Sequence, residues 1–198
     1  AALFNLYKNT RIQLENVMRQ LSSQERPLPA GPDGRLDYSP FDEVTDFLEA
    51  QHNYFPELEA EAEALRQDVG LEQQLVSSRM VRMLEERFGY EVLFEDSPAN
   101  SSVVRRLDVE RQRLTLSPSL TEQTLKFQLG ATLGLLVLDK TRLIDRIVGQ
   151  RTRHVETPRL IKVNLANYFA GALMLPYGDF FKAVQRTRYD VELLTNVF

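Results

Sequence analysis

The sequence contains no cysteine, which excludes disulfides, thiol nucleophiles and cysteine-based metal sites within these residues. Histidine is almost as scarce: only His52 and His154 are present. Neither has a second histidine four residues on, nor an evident acidic partner, so both are expected in surface or loop positions and not on a metal. Apolar runs of about 18 residues or more, the length of a membrane span, are missing, as is any signal-peptide pattern. A cytoplasmic chain without membrane contact is therefore expected. Positive charge is not in excess either, since 24 Lys and Arg face 28 Asp and Glu for a net charge of -4. Nothing draws the whole chain to nucleic acid, and DNA contact would need a local patch or a further domain.

What is present is an ordinary globular composition, 43% hydrophobic and 26% charged over 198 residues, enough chain to bury a core without covalent staples. It opens on Ala1-Ala2 without a methionine and stops inside the helix-like run "DVELLTNVF", from which a piece of a larger protein is expected. Residues 3–21 carry Leu3, Leu6, Tyr7, Leu14, Val17, Met18 and Leu21 at helical spacing. "ERPLPAGPDGRLDYSP" then breaks the helix. A helix over 39–51 starts with Ser39 as N-cap and Pro40 at its first position. Two more are expected over 55–67 and 71–88, the latter stopped by Gly89.

The pattern then alternates. "YEVLFED" and "SVVRRLDVERQRLTLS" predict two or three short strands, with a turn at Asp108–Arg111. From Leu120 it becomes helical again, over 120–139, 141–149, 157–174 and 177–198 with a break near Arg188. Helices, a small sheet and more helices, without internal repeats, predict an α+β fold that is mostly helical.

Within this order "FQLGATLGLLVLD", residues 127–139, has the cadence of a zinc-protease helix, Phe-x-x-Ala-His-Glu-Leu-Gly-His-Leu. That helix places two histidines four apart on one face to hold the ion, with a glutamate to activate the bound water. Here the histidine positions are Ala131 and Leu135, and the glutamate position is Thr132. A methyl and an isobutyl group offer zinc no lone pair, and a threonine hydroxyl is a poor base near neutral pH. A second stretch, "LANYFAGALMLPYGDF" (165–180), resembles the IrrE-type metallopeptidase-like family, in which a glutamate ligand directly precedes an Ala-Asn-x-Phe-Ala run. Leu165 stands in that position. The resemblance thus implies zincin-like helices without metal ligands and no enzymatic activity.

"LANYFAGALMLPYGDFFKAVQRTRYDVELL", together with "NYFPELEAEAE", "RRLDVERQRLTLSPSL" and "KFQLGATLGLL", is also similar to the bacterial short-chain fatty-acyl transcriptional regulators of propionyl-CoA and methylcitrate-cycle genes. The similarity covers nearly the whole chain. It implies that residues 1–38 link to a helix-turn-helix domain outside the chain, and that 39–198 form a degenerate IrrE-like ligand-binding domain sensing a short-chain acyl-CoA. It further implies an iron–sulfur cluster in a C-terminal domain with cysteines, no cofactor in these residues, DNA as partner through the missing domain, and a homodimer whose seam and lever is the first helix.

Coenzyme A is long and multiply anionic, so its site needs cations, an apolar slot and polar or aromatic contacts between them. Candidates are Arg105 or Arg106, of which a strand lets at most one face a given pocket, Lys126 beside Phe127 at the front of the degenerate helix, and Tyr168 on the face of Leu165. Ala131, Leu135 and Leu165 would make the former metal cavity an apolar acyl slot. Each group has a plainer role open to it: solvated surface for the arginines, a core tyrosine with its hydroxyl tied to a neighbour, and aliphatic groups that plug the cavity. Arg142, Arg146, Arg151 and Arg153 are expected on a solvated helix face, and Tyr177, Phe180 and Phe181 in a core. A dimerisation module without ligand and a peptidase with relocated ligands are the competing functions.

Overall fold

The computed structural model of the chain describes residues 38–68, 76–95, 104–148 and 152–186. The chain divides into two compact units, residues 40–177 and residues 1–39 with 178–198. The first helix expected over 3–21, the loop after it and the break near Arg188 lie outside the described residues.

In the first unit the order is α1 (Pro40–Ala50), α2 (Pro56–Asp68), α3 (Ser77–Phe88), β1 (Glu91–Phe94), β2 (Arg105–Asp108), β3 (Arg113–Leu116), α4 (Glu122–Thr141), α5 (Leu143–Val148) and α6 (Thr157–Met174). The mostly helical α+β expectation holds. α1 begins on Pro40, whose fixed φ and missing N–H suit a first helical residue, and Asp42 and Glu43 in its first turn oppose the helix dipole. α3 starts later than the apolar spacing indicates. Val76 is extended (φ -112°, ψ 130°), so the described helix begins at Ser77, and residues 71–75 of the expected helix lie outside the described residues. It ends as expected on Gly89, at φ 73°, where the Gly89 and Tyr90 N–H groups donate back to Glu85 O and Leu84 O. This left-handed ending satisfies two carbonyls that a helix otherwise leaves open.

The three strands order as β1-β3-β2, with β1 parallel and β2 antiparallel to β3. The β2–β3 turn falls on Val109–Gln112, one residue later than expected, because Asp108 still pairs with Arg113. Asp108 Oδ1 accepts the Arg111 N–H at 2.9 Å, and Gln112 takes the left-handed conformation that closes the turn. Leu114 and Leu116 turn one face of β3 into the core.

α4 is capped by Thr121, whose hydroxyl accepts the Thr124 N–H. Leu129, Leu133 and Leu138 are fully buried, and so is Thr132. A helix apolar on nearly all sides belongs inside the domain, and α4 packs along α6. The two approach closely through their small residues. A Cβ on Gly134 would stand 2.8 Å from the Ala166 carbonyl oxygen, and one on Gly130 would stand 3.1 Å from the Ala170 Cβ. α6 also packs on α1 and α2, and its buried Ile161, Leu165, Phe169 and Leu173 complete the core.

α7 (Tyr177–Arg186) falls in the second unit except for its first residue. Phe181 was expected in a core but is exposed, and Phe180 is half-buried. No helix among the described residues is long and apolar enough to cross a membrane.

Candidate functional site

The degenerate helix and the strand pair meet at one side chain. Arg105 pairs with Leu116 across the β2–β3 ladder, and directly opposed residues project to the same face. Arg105 therefore follows the buried Leu116 toward the core, while Arg106 is exposed. The Arg105 Nη1 donates to Thr132 Oγ1 at 3.3 Å and to Gln128 O at 3.4 Å. Thr132 Oγ1 in turn donates to Gln128 O at 2.8 Å. Thr132, where the zinc-protease cadence has its glutamate, is thus joined to a part-buried guanidinium, whose pKa burial pulls down from its usual value. No carboxylate pairs with Arg105 among the described residues. Among the described residues no buried side-chain nitrogen or oxygen lacks a hydrogen-bond partner.

The remaining candidates divide. Ala131 is buried on α4 at 1% exposure, and Leu135, one turn on, packs half-buried against the core. Leu165 lies wholly inside that core. Lys126 pairs with Glu122 within α4 at 3.7 Å, and Phe127 beside it is half-buried. Tyr168 is committed elsewhere. Its hydroxyl donates to Glu59 Oε1 at 2.7 Å and accepts the Phe55 N–H at 3.3 Å, with its ring edge-on to Phe55 at 5.1 Å. Burial, then the bond to Glu59, raises its pKa above the ordinary phenol value. The structure brings Arg105 to Ala131's helix and places Tyr168 on the seam between α6 and α2.

A metal of the kind the zincin cadence implies does not fit these residues. The side chains at 131, 132, 135 and 165 offer one hydroxyl, already bonded on both sides, and three hydrocarbon groups.

Sequence reasoning missed a polar cluster at the start of α6. The Glu43 carboxylate of α1 accepts from Thr157 Oγ1 at 2.6 Å, from the Arg153 N–H at 2.5 Å, and from the His154 N–H at 3.2 Å. His154 Nδ1 stands 3.1 Å from the same carboxylate. His154 therefore has an acidic partner, contrary to expectation. That partner is 111 residues away in the chain, and no local spacing signals it. Burial favours the neutral acid at Glu43, but the bonds from Thr157, Arg153 and His154 outweigh it and hold the pKa at about 2. At the other end of α6, the buried Arg66 of α2 donates to Leu173 O at 2.7 Å. An acid at the helix start and a cation at its end both complement its dipole. Of the basic residues near 139–156, Arg142, Arg146 and Arg153 are exposed, and Arg151 lies outside the described residues.

A strand pair whose inward arginine meets a buried helix of zincin cadence, with that helix packed closely on a second motif helix, defines a metallopeptidase-like domain. The chain belongs to the IrrE N-terminal-like domain family of peptidase M78, which matches residues 85–198. It is similar to the HTH-type transcriptional regulator PrpR of Mycobacterium tuberculosis, with 29% identity over 94% of this chain and 37% of that protein. It is similar also to the propionyl-CoA carboxylase regulator of Cereibacter sphaeroides, with 30% identity over 99% of this chain and 39% of that protein. The HTH-type regulator RamB of Mycobacterium tuberculosis is 28% identical over 98% of this chain and 40% of that protein. A solved Mycobacterium tuberculosis transcriptional regulator matches with a TM-score of 0.69 and 30% identity, over 80% of this chain and 47% of that one. The chain spans about two fifths of the length of the curated relatives it matches.

Proposed function

We propose that this chain is the effector-binding part of a transcriptional regulator and that its ligand is a short-chain acyl-CoA of the propionyl-CoA type. The observation that carries the proposal is Arg105. A guanidinium drawn toward the core, bonded to Thr132 and Gln128 of α4 and without a carboxylate partner among the described residues, is a receptor for an anionic or strongly polar oxygen. The relatives' descriptions as regulators, one of them of propionyl-CoA carboxylase, support the same reading.

In this proposal Arg105 meets the coenzyme, and Lys126 and Phe127 flank it one turn before Ala131. Ala131 and Leu135 border the acyl group. The chain has no enzymatic activity and no cofactor of its own. A helix-turn-helix segment outside it contacts DNA, a cysteine-bearing C-terminal segment holds any iron–sulfur cluster, the working unit is a homodimer, and the location is cytoplasmic. Ligand binding shifts the population of two arrangements to the extent that their affinities differ.

A second reading, an interaction module without a small-molecule ligand, draws on the complete burial of Leu165, since a filled recess needs no occupant. Thermal unfolding with propionyl-CoA separates the two. A ligand at about a hundred times its dissociation constant adds about 2.7 kcal/mol, a rise of about 5–10 °C for a domain of this size. An unchanged melting temperature would leave the interaction module.

A further inference from the structure

A cleft of about 110 Å³ lies where the C-terminal halves of α2, α3 and α4 converge. Leu65, Phe88 and Val137 give it apolar walls, and Glu61, Asp68, Arg87 and Lys140 supply its charges. Two of these charges cancel, because Arg87 Nη1 lies 2.7 Å from Asp68 Oδ2. The other two are open. Glu61 on α2 has no hydrogen-bond or ion-pair partner among the described residues. Lys140 on α4 makes its one described polar contact with the Phe88 ring, 5.8 Å from Nζ to centroid. Glu61 and Lys140 stand on different helices around the cleft and form no ion pair with each other.

We propose that this cleft binds a small zwitterion with a short branched aliphatic group, of the amino-acid class. A simple anion would neutralise Lys140 but leave Glu61 of the same lining without a counter-charge, and a simple amine would do the reverse. A molecule carrying both charges satisfies both helices, while its hydrocarbon lies against Leu65, Phe88 and Val137. The volume agrees. At about 110 Å³ it lies far below the roughly 300 Å³ at which drug-sized pockets begin. Lys140 is already held over Phe88, which limits the side-chain entropy lost on binding. The proposal is independent of the acyl-CoA reading, since no residue is shared.

The test is amide chemical-shift titration of the whole chain with L-valine, isovalerate (no ammonium) and isobutylamine (no carboxylate). Valine is expected to shift the amides of Leu65, Phe88, Val137 and Lys140 saturably, and each singly charged analogue to bind about tenfold more weakly, the factor that loss of one charge-assisted hydrogen bond implies. Lys140→Met is expected to reduce valine binding to the level of isobutylamine, and Glu61→Gln to that of isovalerate. Both side chains are at least partly exposed, and an unchanged spectrum elsewhere verifies the fold of each variant. No shift at these amides up to the solubility limit, valine binding indifferent to both substitutions, or an analogue binding as tightly as valine would each overturn the proposal.

Discussion

The Glu43 carboxylate accepts the Thr157 hydroxyl proton at 2.6 Å across 114 residues of chain. One acid of α1 thereby anchors the start of α6, collecting a hydroxyl, two backbone N–H groups and the His154 ring. Hydrogen bonds to a charged group contribute about 1.5–3 kcal/mol each, and Thr157 is fully buried. Glu43→Ala is therefore expected to destabilise the fold by about 3 kcal/mol, measured by urea unfolding, and to expose the 152–157 segment to faster amide exchange. A loss below about half a kcal/mol would show that the cluster does not anchor the helix.

The same carboxylate sets an acid limit. Its folded pKa, about 2, is depressed from the ordinary 4.5. A depressed acid contributes stability that is complete above the unfolded pKa and is lost as pH falls through the folded one. Wild type should thus lose stability between about pH 4.5 and pH 2, and Glu43→Gln should flatten that part of the profile. Parallel profiles for the two proteins would refute the assignment.

Arg105 and Arg106 are adjacent in sequence and opposite in role. Arg105 bonds to α4 while Arg106 is exposed. In isothermal titration with propionyl-CoA, Arg105→Ala is expected to weaken binding by about tenfold or more, as for a lost charge-assisted bond, and Arg106→Ala to leave it unchanged. The reverse order would place the ligand on the outer face of the sheet.

Tyr168→Phe removes a hydroxyl that bonds to both Glu59 and Phe55. The expected cost is about 1–2 kcal/mol of stability, read from denaturant midpoints, with propionyl-CoA affinity unaltered. A fall in affinity without a fall in stability would return Tyr168 to the ligand site.

Two glycines on neighbouring helices should respond with opposite signs. At Gly134 an added methyl meets backbone, 2.8 Å from Ala166 O, and at Gly171 it meets nothing within 4 Å. Gly134→Ala is expected to cost about 1–3 kcal/mol through overpacking. Gly171→Ala should add about 0.5–1 kcal/mol through reduced chain entropy. Thermal melts of the two variants check both signs.

Much of this architecture could be read in one dimension, because it rests on local physics. Gly89 ends α3, Pro40 opens α1 and the 157–174 spacing gives α6, since capping, proline φ and apolar periodicity act within a turn or two of helix. The alternation at 105–106 likewise indicated that the two arginines point to opposite faces, so that at most one serves a given pocket, because side chains of a strand alternate. Residue identity alone, likewise, decides that Ala131, Leu135 and Leu165 carry no lone pair and that Thr132 carries only a hydroxyl.

The tertiary structure decided what depends on distant partners. Which arginine turns inward followed from the pairing of β2 with β3. Tyr168 is held to α2 by Glu59, 109 residues away, and Glu43 reaches His154 only because α1 and α6 pack together. The open charges of Glu61 and Lys140 share a cleft for the same kind of reason. Sequence fixes chemistry and short-range geometry; which of those chemical groups face one another is set by packing, whose contacts join residues that no local period connects.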